Sequence, residues 1–108
     1  MPEITDRYFK HIREQNVAGV AALFASDATY TMPDGRRFTG DSEIRGWFSK
    51  LFASLVLTPR IVSTVATETA VAVEIENILP DGATRRTANF FHLNSQGLIE
   101  ALRVYQQG

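Results

Sequence analysis

The sequence contains no cysteine and only two histidines, His11 and His92. The lack of cysteine excludes disulfide bonds and thiolate metal sites. Two histidines also speak against a zinc site built by the protein alone. We therefore expect neither a metal ion nor another cofactor.

Excess charge and long apolar runs are also missing. The net charge is −1, so no broad basic surface is available to hold nucleic acid or an anionic membrane. No segment approaches the roughly 18 apolar residues that a spanning helix needs. The first residues, Met1–Asp6, lack the basic and then apolar pattern of a signal peptide. The expectation is a cytoplasmic protein with no nucleic-acid or membrane partner.

What is present suits one small folded unit. Of the 108 residues 44% are hydrophobic and 21% are charged, as in ordinary globular domains. We expect a single domain over residues 1–108, because two smaller pieces could not each bury a core.

Helical patterns dominate the first half of the chain. The predicted helices cover Ile4–Asn16, Val17–Phe24 and Ser42–Ala53. Tyr8, Phe9 and Ile12 in the first helix recur at the spacing of one helical face. Between the second and third helices, Ala28–Met32 and Arg36–Thr39 predict a small hairpin around the turn Pro33-Asp34-Gly35.

From Leu55 onward the apolar period changes from 3.6 to 2, which predicts strands. The four predicted strands are Leu55–Ala66, Ala70–Leu79, Ala83–Leu93 and Leu98–Gln106. Their compact connections favour an antiparallel meander. Helices gathered on one side of an antiparallel sheet define the α+β class.

Five parts of the sequence carry a resemblance to a known family: Tyr8 in the first helix, 20–29 (VAALFASDAT), Pro33-Asp34-Gly35, 40–45 (GDSEIR) and 91–97 (FHLNSQG). With them, nearly the whole chain resembles the NTF2-like superfamily, which includes ketosteroid isomerase and the SnoaL-like polyketide cyclases. The resemblance implies a cone-shaped, cystatin-like α+β roll in which three N-terminal helices pack on a curved antiparallel sheet around an apolar pocket. It implies no single reaction, because the fold hosts isomerases, cyclases, hydrolases, dehydratases and non-catalytic binders.

Comparison with ketosteroid isomerase implies roles for individual residues. That enzyme uses a carboxylate base and two hydrogen-bond donors, a tyrosine and a protonated aspartic acid, aimed at the developing enolate oxygen. Tyr8 matches the tyrosine and Asn89 matches the acid, and both side chains can donate to a carbonyl or hydroxyl. Met32 occupies the position of the carboxylate base. Because methionine cannot accept a proton, we do not expect a true ketosteroid isomerase.

The proton acceptor is left unassigned among three residues. Asp34 is the catalytic candidate nearest to Met32, although a turn aspartate commonly bonds its own backbone. His11 is a candidate because histidine is a common general base, but a histidine at this position is also typical of a helix surface. Glu100 has inward parity near the expected mouth, where a carboxylate is either desolvated or simply solvated at a strand end.

The remaining candidates are expected to form the pocket wall. The apolar ones are Tyr30, Met32, Trp47, Phe48, Phe52, Phe91, Leu102 and Val104. Arg85 shares the inward parity of Asn89 and is expected either to hold an acidic ligand group or to form a structural salt bridge. By the same parity, Arg86 and His92 face outward.

Both faces of the predicted sheet look apolar. The residues concerned are Ile61, Val71, Val73, Ile75, Phe90, Ile99 and Tyr105. We therefore expect a homodimer through the outer sheet face. The leading hypothesis is a binder of a small, largely apolar molecule, or an isomerase, cyclase or hydratase acting beside a carbonyl or hydroxyl. The alternative is a non-catalytic binding or dimerisation module.

Overall fold

The computed structural model describes residues 3–107, so the ends of the expected domain, residues 1, 2 and 108, lie outside the described residues. The elements in chain order are α1 Glu3–Glu14, α2 Val17–Ala21, β1 Phe24–Thr31, β2 Arg37–Thr39, α3 Gly40–Ser54, β3 Thr58–Ala66, β4 Ala70–Ile78, β5 Thr84–Leu93 and β6 Ile99–Gln106. The α+β class and all four C-terminal strands are confirmed. No helix within the described range is both long and apolar enough to cross a bilayer.

The six strands form one sheet in the order β2-β1-β6-β5-β4-β3. The predicted small hairpin is therefore not separate from the meander, because β1 pairs with β6, and this pair is parallel. The expectation of a wholly antiparallel sheet is therefore wrong, because the sheet is mixed. The predicted chain order is confirmed, since β1 and β2 lie between α2 and α3, and so not all three helices precede the sheet in the chain.

The second helix is shorter than predicted, because the sheet takes over its last residues. Phe24 already belongs to β1 and pairs with Ile99, whose backbone N–H donates to the Leu23 carbonyl at 2.9 Å. Asn16, the predicted end of the first helix, instead caps α2 by accepting a hydrogen bond from the Gly19 N–H. The positive φ of Gln15 marks the break between the two helices.

The core lies between α1, α3 and the inner face of the sheet. Tyr8 and Phe9 of α1 contact Phe91 of β5 edge to face, with ring centroids 5.1 and 6.1 Å apart. Phe48 and Ile44 of α3 are fully buried in the same cluster. This packing fixes the position of α1 over the strand that carries Asn89.

Alternation along the strands is cleaner than the sequence suggested. Of the residues expected to give the sheet two apolar faces, Val71, Val73, Ile75 and Ile99 are buried, and Ile61 is half-buried against the core. Only Phe90 and Tyr105 of that set are exposed, and their rings meet edge to face at 5.5 Å on the outer face. The outer face is therefore less apolar than expected, although Val65 and Ile78 are also exposed there.

Candidate functional site

A cavity of about 130 Å³ opens between the helices and the inner face of the sheet. For scale, an engineered apolar cavity of about 150 Å³ binds benzene. Its residues come from both helical and sheet sides: Tyr8, Phe9, Ile12, Tyr30, Met32, Pro33, Trp47, Phe48, Leu51, Leu55, Leu57, Pro59, Ile75, Asn77, Leu79, Arg85, Thr87, Asn89, Val104 and Gln106. The space is large enough for a small ring compound.

The structure brings together most of the residues predicted for the wall. Tyr30, Met32, Trp47, Phe48, Arg85 and Val104 line the cavity together with Tyr8 and Asn89. Three other predicted wall residues do not reach it, which corrects the expectation for Phe52, Phe91 and Leu102. Phe91 and Leu102 are fully buried core residues, and Phe52 packs against Phe48 at 5.6 Å.

Two phenols lie side by side in the cavity wall. Tyr8 is 2% exposed and Tyr30 is 5% exposed. Burial raises the pKa of the Tyr8 hydroxyl well above its ordinary value, and the neighbouring Tyr30 hydroxyl raises it further. Burial also raises the pKa of Tyr30, although interactions with Tyr8 and Trp47 oppose the shift. Both phenols are consequently neutral at physiological pH, and because the two hydroxyls interact with each other, the pair has one proton left to donate to a ligand.

The indole of Trp47 adds a further donor. Its Nε1 atom is buried and makes no hydrogen bond within residues 3–107. The indole lies near enough to the Tyr30 hydroxyl to lower that group's pKa, although the two groups do not meet the geometry of a hydrogen bond. An unpaired buried N–H costs free energy, about 1–3 kcal/mol. An acceptor oxygen placed in the cavity would remove that cost.

Asn89 lies on the inner face of β5, between Val73 of β4 and Val104 of β6. It is 4% exposed, and its Oδ1 accepts a hydrogen bond of 3.2 Å from the Thr87 hydroxyl. Because Oδ1 accepts from Thr87, the Nδ2 group is the part of the amide that is left to donate to a ligand. Tyr8 and Asn89 thus line one common space.

The inner face of the sheet becomes polar toward one end. Along β5, exposure rises from 0% at Phe91 through 4% at Asn89 and 7% at Thr87 to the exposed Arg85. Asn77 and Gln106 lie at the corresponding ends of β4 and β6, and both line the cavity. We call Asn77, Arg85 and Gln106 the polar rim. The expected structural salt bridge of Arg85 is absent, since its side chain pairs with no residue from 3 to 107.

None of the three candidate bases lines the cavity. Asp34 is exposed in the turn, where the backbone N–H and the guanidinium of Arg36 hold the pKa of its carboxyl below its ordinary value. Asp34 therefore lies outside the cavity wall, which argues against the catalytic role expected for it. His11 faces Glu14 and Asn16 outside the cavity, with Nδ1 3.4 Å from the Glu14 carboxylate.

An irregularity in β6 keeps Glu100 out of the cavity wall. His92 pairs with Ala101, whereas Leu93 pairs with Ile99, so Glu100 is the extra residue of a bulge on β6. The bulge reverses the inward parity that was expected, and the Glu100 side chain is exposed while Ile99 is fully buried. No residue that lines the cavity within the described chain is Asp, Glu or His.

Sequence reasoning missed part of the wall. The additional apolar residues include Phe9, Ile12, Leu51 and the segment after α3, from which Leu55 and Leu57 reach the cavity. The polar additions are Asn77, Thr87 and Gln106. For these three the strand parity that placed Arg85 and Asn89 inward was a usable signal, because they share a face with them.

A sequence model of the SnoaL-like domain matches residues 5–101. The chain belongs to the SnoaL-like family. No curated protein matches it in sequence.

Solved structures with the same fold extend this finding. A protein with a ketosteroid isomerase-like fold from Catenulispora acidiphila, solved in complex with trimethylamine, shares 21% identity with a TM-score of 0.85, and the match covers 97% of this chain and 85% of that one. A protein from Kribbella flavida that is described as a ketosteroid isomerase shares 18% identity with a TM-score of 0.88, and the match covers 99% of this chain and 77% of that one. SalBIII, described as an epoxide hydrolase/cyclase-like enzyme in salinomycin pyran ring formation, shares 21% identity with a TM-score of 0.83, and the match covers 97% of this chain and 88% of that one. At these identities the likeness concerns the fold.

Proposed function

We propose that this SnoaL-like protein binds a small, largely apolar molecule that carries an acceptor oxygen. The observation behind the proposal is the surplus of donors in an otherwise apolar cavity. The Tyr8–Tyr30 pair and Asn89 contribute neutral donors, and the Trp47 N–H has no hydrogen-bond partner within residues 3–107. A carbonyl or hydroxyl oxygen would accept from this group, while the aromatic and aliphatic wall would bury the rest of the ligand.

The test compares 2-indanone with indane, which has the same rings but no oxygen. Calorimetry should show tighter binding of 2-indanone to the wild type. Leu57→Trp places a bulky group in the cavity wall and should abolish binding. Val56→Trp is the matched control, because Val56 is 54% exposed and does not line the cavity. Equal affinity for the two compounds, or equal effects of the two variants, would contradict the proposal.

A second candidate function is catalysis, as an isomerase, cyclase or hydratase acting beside a carbonyl or hydroxyl. It is favoured by the two protonated phenols, which could stabilise a developing oxyanion or protonate it. The absence of a carboxylate or imidazole among the described lining residues means that a proton acceptor would have to be water or a group of the substrate itself. In D₂O, NMR should then show faster α-proton exchange of 2-indanone with wild type than with Tyr8→Phe. Exchange at the buffer rate would favour the non-catalytic module.

We also propose a homodimer through the outer sheet face. Its support is the exposed aromatic pair Phe90 and Tyr105, with Val65 exposed on the same face. Phe90→Ser with Tyr105→Ser should shift a dimer to monomer in sedimentation velocity. A wild-type monomer at micromolar concentration would refute the dimer.

A further inference from the structure

Arg85 is a cation without a counter-charge at the opening of an apolar cavity. Its guanidinium forms no ion pair or hydrogen bond with any residue from 3 to 107. The adjacent Arg86 behaves differently, since it shares the carboxylate of Glu76 with Arg60 on the opposite face of the sheet. Arg86 is thus paired on the outer face, whereas Arg85 on the inner face has no ion pair within residues 3–107.

The rest of the cavity gives Arg85 no partner either. Arg85 is the one lining residue with a charged side chain at neutral pH, because the other described lining residues are apolar, aromatic, amide or hydroxyl groups. The planar donors of a guanidinium match a carboxylate in bidentate geometry, so an acidic ligand would supply the counter-charge that the cavity lacks.

Two amides flank the guanidinium on the polar rim. Asn77 lies directly opposite Arg85 in the antiparallel pair of β4 and β5. Gln106 lies opposite Thr87 on β6, which places it diagonally from Arg85. Direct and diagonal partners on one sheet face are roughly 5 and 7–8 Å apart. The three side chains can therefore converge on one small anionic group.

We propose that the site takes a small apolar carboxylic acid as its anion, with the carboxylate on the polar rim and the apolar body in the cavity. The inference rests on the proposed function, and it specifies the ligand class. Arg85 and Asn89 are separated by roughly 13 Å along the strand, at 3.3 Å per residue. A ligand with a short chain between ring and carboxylate would span from the rim into the apolar space.

The experiment uses 3-phenylpropanoate and its neutral isostere 3-phenylpropanamide, titrated into the protein by calorimetry at low ionic strength. Wild type should bind the acid about two- to fivefold more tightly than the amide, as expected for an ion pair at an exposed guanidinium. Arg85→Gln should remove this preference, and Arg85→Lys should keep part of it. Arg37→Gln is the matched control, because Arg37 is also exposed and unpaired but lies on β2 away from the cavity.

The outcomes separate this inference from the proposal beneath it. If 2-indanone and the amide bind but the acid binds no better, the carboxylate preference is refuted and the apolar site stands. A preference that survives in Arg85→Gln, or is lost equally in Arg37→Gln, refutes the role of Arg85. If no probe binds wild type, both proposals fall.

Discussion

Replacing Tyr8 by phenylalanine removes one hydroxyl from the cavity wall and leaves the ring packing in place. The ring keeps its contacts with Phe9 at 5.0 Å and Phe91 at 5.1 Å. The folded state loses only the interaction with the Tyr30 hydroxyl, so the free energy of unfolding should fall by no more than about 1.5 kcal/mol. The affinity for an oxygen-bearing ligand should fall as well, because a neutral hydrogen bond contributes about 0.5–1.5 kcal/mol.

That range corresponds to a loss of about 2- to 13-fold in affinity for 2-indanone. Indane lacks the oxygen, so its affinity should be unchanged within error. Calorimetry of both compounds against wild type and Tyr8→Phe forms a cycle that isolates the contact between hydroxyl and oxygen. Tyr105→Phe removes the same hydroxyl from the outer face and serves as the control. Equal losses for the two compounds, or none for 2-indanone, would refute the donor role of Tyr8.

Three further predictions concern stability. Phe91→Ala should cost about 3–5 kcal/mol in chemical denaturation, because Phe91 is fully buried, and a cost below about 1 kcal/mol would contradict this packing. Gly46→Ala meets open space in α3 and should stabilise by up to about 1 kcal/mol. Gly19→Ala places a Cβ 2.5 Å from His11 Nδ1 and should stabilise less, because the His11 and Asn16 side chains must move; a larger gain for Gly19→Ala than for Gly46→Ala would contradict this. The side chains of Arg60 and Arg86 lower the pKa of Glu76. The ionised Glu76 carboxylate therefore stabilises the folded state at pH values above the ordinary glutamate pKa, and this stabilisation is lost as the pH falls through the lowered pKa. The melting-temperature gap between wild type and Glu76→Gln should shrink in acid, and a constant gap would disprove the linkage.

The last four strands were predictable because each is a run of 8–10 residues bounded by compact turn segments. Parity then placed Asn89, Arg85 and Val104 inward correctly. It failed where the backbone is irregular, since one extra residue on β6 turned Glu100 outward. A bulge depends on how two strands are paired, which a single strand's pattern does not record.

The division between core and cavity could not be predicted from the sequence. Phe91 and Leu102 have the same parity as Asn89 and Val104, yet they lie deeper and are covered by Tyr8, Phe9 and the rest of the core. Depth along a strand depends on where α1 crosses it, which is a tertiary property. The aromatic spacing in α3 likewise did not separate Trp47, which reaches the cavity, from Phe52, which does not.

Trp47 is the only tryptophan in the sequence, so a single indole resonance reports on the cavity directly. The ¹H–¹⁵N spectrum of the labelled protein should be followed during titration with 2-indanone, and indane should serve as the reference. We predict that the indole N–H signal moves downfield with 2-indanone as its unpaired proton gains an acceptor, and that the Asn89 side-chain amide also shifts. If both signals stay in place at saturating 2-indanone, the cavity between the helices and the sheet is not the binding site.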